Sequence, residues 1–115
     1  MNDNYKTEDI KVIDLYSKAL PEVIIEIEKR PLMWLPEKHI KYLGSFLDGY
    51  IYGKNCKATC ELMSGFNQFV EKKYSITTTH GWVRNIDHMS SDPHHALEKF
   101  FELFNEYMSN VSEKI

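Results

Sequence analysis

Wherever apolar residues recur regularly in this chain the period is close to 3.6, and several of the breaks between those runs fall at proline. Such a pattern lays apolar side chains along one side of a helix and denies a strand the alternation it needs to bury one face. Proline lacks an amide hydrogen and fits a helix only in its first turn, so Pro21, Pro31, Pro36 and Pro93 mark stops and restarts. The expected fold is all-α: one compact bundle of about five helical segments over residues 1–115. No internal repeat, low-complexity tract or Gly/Ser linker sets off a second unit.

Thr7 can cap a first segment, with Glu8 and Asp9 at the positive end of its dipole and Ile10, Ile13, Leu15, Tyr16 and Ala19 on its apolar side. Pro21 should kink or restart that run. The piece that follows, Glu22 to Lys29, is short, and its Val23, Ile24, Ile25 and Ile27 keep a strand open as the competing reading. Between Arg30-Pro31 and Pro36, the large side chains Met33, Trp34 and Leu35 are expected to plug the core from a loop. Pro36 then opens a helix over about Glu37 to Tyr52, with Ile40, Leu43, Phe46, Leu47, Tyr50 and Ile51 inward, and Gly53 with Lys54 and Asn55 makes its stop.

A helix over about Cys56 to Lys73 turns Cys56, Cys60, Met63, Phe66, Phe69 and Val70 inward, and its interior Gly65 points to a close helix crossing. Tyr74 to Thr79 is the least regular stretch, a short strand or a loop. The Trp82, Ile86, Met89 spacing suits one or two helical turns. Ser91 or Asp92 caps the last helix with Pro93 in its first turn. Leu97, Phe100, Phe101, Phe104, Tyr107 and Met108 form its broad apolar side, and its end after Asn110 should fray.

A chain of 115 residues, 43% of them apolar, can bury about 60–70% of its unfolded surface around one core. No window approaches the roughly 18 apolar residues of a membrane span, and the polar, acidic start lacks a signal-peptide pattern, so a soluble cytoplasmic protein is expected. Fourteen Lys and Arg stand against seventeen Asp and Glu, without a run of five or six like charges. That argues against nucleic acid as a direct ligand, because phosphate binding needs a clustered basic surface.

Cys56 and Cys60, four apart, match a helix side rather than a C-x-x-C turn, so reduced, partly buried thiols are expected, with redox sensing or half of a metal site as the alternative. His88, His94 and His95 with Asp92 or Asp87 are the densest set of potential ligands. Their spacing fits no zinc pattern, so no metal and no cofactor is expected. No motif places a Cys or Ser nucleophile beside a histidine, and the chain is read as a non-enzyme. Trp34 and Trp82 are read as core.

Glu98, Glu102 and Glu106, at i, i+4 and i+8, form a carboxylate ridge whose members repel one another. Lys99 and His95 offer partial relief on a solvated face; the sharper reading is a cationic partner docked there. Asp48 and Tyr52 pair an aromatic with a carboxylate on one helix side, as interface hot spots do, though Tyr52 can equally cover the helix end.

Arg30-Pro31-x-Met33-Trp34-Leu35, Leu43-x-x-Phe46-Leu47-x-Gly49-Tyr50, Phe66-x-x-Phe69-Val70, Trp82 and Ala96-x-x-x-Phe100-Phe101-x-Leu103 together resemble bacterial immunity proteins encoded beside contact-dependent growth inhibition and other polymorphic toxins. The resemblance covers about residues 20–108. Leu32 stands where that family commonly has glycine and Trp34 where it has tyrosine, so the connector should differ locally, since leucine adopts positive φ only at a cost.

The resemblance implies a non-catalytic protein that binds the toxic C-terminal domain of a cognate effector, a nuclease and more often a ribonuclease than a deoxyribonuclease. Such a partner is basic, which makes Glu98, Glu102 and Glu106 the first candidate contacts and Asp48, Tyr52, Asp87 and Asp92 the second. A regulatory or adaptor domain that binds another protein or dimerises is the alternative, and a metal-dependent or thiol enzyme ranks third.

Overall fold

The computed structural model describes residues 19–76 and 80–113. The expected segment after Thr7 and the threonines at 77–79 lie outside the described residues. Within them the chain forms α1 (Leu20–Lys29), α2 (Pro31–Trp34), α3 (Ile40–Lys54), α4 (Lys57–Tyr74), α5 (Trp82–His88) and α6 (Pro93–Glu113), with no strand among the described residues.

In α1, Pro21 sits in the first turn and the Glu22 carboxylate accepts from the Ala19 amide at 3.2 Å, satisfying a donor ahead of the helix. Leu20, Val23, Ile24 and Ile27 are buried, the i, i+3, i+4, i+7 set of a helix. A strand would place Val23, Ile25 and Ile27 together, but Ile25 is 46% exposed while Ile24 is buried. The β-branched composition yields here to the packing period.

Pro31 starts one helical turn, closed by the Leu35 amide on the Pro31 carbonyl at 2.8 Å, instead of the expected loop. Successive side chains of a turn are splayed by about 100°. Leu35 therefore enters the core, Trp34 is half-buried against Phe46 at 6.4 Å between rings, and Leu32 and Met33 face outward, 62% and 59% exposed. Met33 is thus no core plug. Leu32 has no positive φ, since Asn55 and Ser75 are the non-glycine residues that do among those described.

The α3 helix begins at Ile40, not at Glu37. His39 keeps extended backbone and its Nδ1 accepts from the Lys41 amide at 3.1 Å, so histidine does the capping and Pro36 stays in the connector. The helix ends within the expected Gly53-Lys54-Asn55 stop, running to Lys54 and closing at Asn55, which takes the left-handed conformation (φ 48°, ψ 48°). Its inward residues are Ile40, Leu43, Leu47 and Tyr50, with Phe46 and Ile51 half-buried at the margin.

In α4, Thr59, Met63, Phe66 and Val70 set the buried stripe. Cys60 is about 100° off it and exposed, and Cys56 is half-buried at the N-cap, so the cysteines do not share the core side; both thiols are free. The helix ends in a Schellman arrangement: Ser75 is left-handed, its amide reaches the Lys72 carbonyl, and the Ile76 amide reaches the Glu71 carbonyl at 2.9 Å. At α5, Ile86 is buried and Trp82 half-buried, whereas Met89 is 48% exposed beyond the last turn.

Asp92 caps α6, its Oδ1 accepting from the His95 amide at 2.8 Å, and the helix runs to Glu113. Its inward side, Ala96, Leu97, Phe100, Phe101, Leu103 and Phe104, closes one contiguous core. Phe66 lies at its centre, its ring 5.3–5.7 Å from those of Trp82, Phe100, Phe104 and Tyr107. The expected crossing at Gly65 is made by Tyr107. A Cβ at Gly65 would collide with the Tyr107 hydroxyl, which donates to the Leu62 carbonyl at 2.9 Å. No helix among the described residues is long and apolar enough to cross a membrane.

Candidate functional site

Where α6 passes α1 and the turn that follows it, the helices leave a groove of about 420 Å³. Pro31 and the edges of Leu97 and Phe101 form its apolar floor. Glu28, Glu98, Glu102, Asn105 and Lys38 complete its lining, three acidic residues to one basic. Glu98 and Glu102 reach it because they sit one position beyond Leu97 and Phe101 on α6, at the rim of the buried stripe. Glu28 reaches it from the last turn of α1, one position beyond the buried Ile27.

The third member of the ridge is engaged elsewhere. Glu106 accepts from the Lys73 ammonium of α4 at 2.6 Å, so relief of its charge comes from a neighbouring helix and not from Lys99 or His95. Among the described residues, Glu28, Glu98 and Glu102 make no ion pair. The Tyr74 hydroxyl is pushed above the usual phenol range, first by burial and then by Glu102.

The remaining sequence candidates are scattered. Asp48 and Tyr52 do come together, in a shallow cleft with Ile51, Gly53, Asn55 and Cys60, and Tyr52 is 89% exposed. Asp87 borders a different cleft with Ile76, His80, Arg84, Asn85 and His88, where Arg84 Nη1 lies 3.4 Å from His80 Nδ1. Asp92 is the cap of α6, and the His95 amide, before all other causes, holds its carboxyl below the usual carboxylate range. Its oxygen is committed to the helix and is a poor contact for a partner.

Among the described residues no group of three His, Cys, Asp or Glu gathers closely enough to hold a metal ion, and His94 and His95 stand exposed at the start of α6. The Cys56 thiol is held below the ordinary thiol range, first by the Thr59 amide at the start of α4. The residues that sequence reasoning missed are Glu28, Lys38 and the apolar pair Leu32 and Met33. Only the adjacency of Glu28 to the apolar period of α1 hinted that it rims a buried stripe. No protein-family model matches the chain, and no curated protein and no solved structure is found similar to it.

Proposed function

We propose that this protein is an inhibitor of the immunity type, a non-catalytic, cytoplasmic binder of the toxic C-terminal domain of a cognate contact-dependent inhibition effector, and that this domain is a nuclease, more specifically a ribonuclease. The reading starts from the resemblance of the Arg30–Tyr50 stretch and the aromatic helix sides to such proteins. The observation that carries it further is the acid-walled groove, with Leu32 and Met33 exposed directly after Pro31 on its floor.

A domain that grips nucleic-acid phosphates must present clustered Lys and Arg. Unpaired carboxylates attract that surface at long range, and exposed large apolar side chains supply area to bury on contact. Occupation of the basic surface excludes the nucleic acid without any chemistry by the inhibitor.

The test is co-expression with the toxin domain encoded immediately upstream, scored by survival and by co-purification. Survival with a stable complex is the expected result. Absence of a toxin gene, or neither rescue nor complex, removes the immunity reading in favour of an adaptor domain.

A further inference from the structure

Resting on that reading, we propose that the groove between α1, α2 and α6 seats one long basic side chain of the partner, an arginine or a lysine, and that Glu28 is a contact residue beside Glu98 and Glu102. Its volume of about 420 Å³ is near the low end of ligand-sized cavities, room for a side chain and not for a helix about 10 Å across. Its floor is apolar and its walls are acidic. Arginine and lysine have the matching construction, a hydrocarbon stem ending in a charged head.

Charge selects this occupant over others. Three carboxylates face one ammonium, that of Lys38, and none of the three has an ion-pair partner among the described residues. Glu98 and Glu102 stand at i, i+4, where like charges repel, and the neighbouring Glu106 shows how the fold disposes of such a charge when it is structural, by pairing it with Lys73. The groove charges receive no such treatment. They are also too far apart to close on a bare metal ion. A guanidinium or ammonium held by its stem over Leu97 and Phe101 can meet carboxylates from two sides, and the exposed Leu32 and Met33 extend the contact beyond the groove.

Glu28→Gln, Glu98→Gln and Glu102→Gln, singly and together, keep side-chain size while removing charge, and circular dichroism verifies that each variant folds. Binding to the upstream toxin domain is measured by calorimetry, with the exposed Glu61→Gln as control. Each single change is expected to weaken the complex about tenfold and the triple change more than a hundredfold, with Glu61→Gln unchanged. Replacing one Arg or Lys of the toxin domain by Met should reproduce the loss and show coupling to Glu98 and Glu102.

Wild-type binding that survives the triple change overturns the groove assignment and leaves the immunity reading intact. If the wild-type chain does not bind the toxin domain, the immunity reading falls, and the groove is judged separately with an octa-arginine peptide. Chemical-shift changes at Leu97 and Phe101 that vanish in the triple variant then support a seat for a basic side chain; no change at those residues overturns it.

Discussion

Phe66 is the residue around which the aromatic core gathers. It is fully buried, and the rings of Phe69, Trp82, Phe100, Phe104 and Tyr107 surround it. Phe66→Ala removes both transfer energy and the contacts lining the cavity, and urea denaturation should show a loss of about 3–5 kcal/mol. Asp92 tests a polar contribution at the same scale. Its folded-state pKa lies below the unfolded value, so its stabilising effect is present above the unfolded pKa and is lost as pH falls through the lower folded one. Asp92→Ala should lower the melting temperature at neutral pH, and the difference from wild type should shrink in acid.

Between elements, α5 approaches α3 closely at Gly44. A Cβ at Gly44 would stand 2.8 Å from Val83 Cγ2, closer than carbon atoms pack. Alanine at an interior helix position is otherwise favoured over glycine by roughly 1 kcal/mol. Gly44→Ala is therefore expected to destabilise the wild-type protein by about 1 kcal/mol, yet to stabilise a Val83→Ala background. Thermal melts of the four proteins check that reversal of sign, and equal effects in both backgrounds would show that α5 does not press on α3. Other elements show where local rules were overridden: Pro36 is an acceptable first-turn residue, but the His39 cap sets the start of α3 three residues after Glu37.

For the molecule as a whole, the formal charge of −3 is small, but the arrangement concentrates unpaired carboxylates around one groove. Attraction of a basic partner to that side acts over the screening length, about 30 Å at 0.01 M salt and about 8 Å at 0.15 M. Stopped-flow mixing with the toxin domain should give an association rate that falls steeply with salt, while dissociation changes little. A salt-independent association rate would mean that steering plays no part. Glu98→Gln and Glu102→Gln should also leave the free protein as stable as wild type or slightly more so, because each relieves a like-charge neighbour. A marked loss of stability would assign these glutamates to the fold instead.

The amino-acid sequence by itself determined the helical class, most of the inward residues of α3 and α6, a cap at Ser91 or Asp92 and the close approach at Gly65. All of these depend on neighbours within a few residues or on a periodic pattern that one helix repeats along its length. It also marked Glu98 and Glu102, because i, i+4 spacing is a local property. Only the tertiary structure decided that Glu106 belongs to Lys73, that Glu28 joins Glu98 and Glu102 across some seventy residues of chain, and that Leu32 and Met33 face outward. A groove is made by the positions of separate helices, and those positions are fixed by how their buried sides join one shared core, which no single stretch of sequence contains.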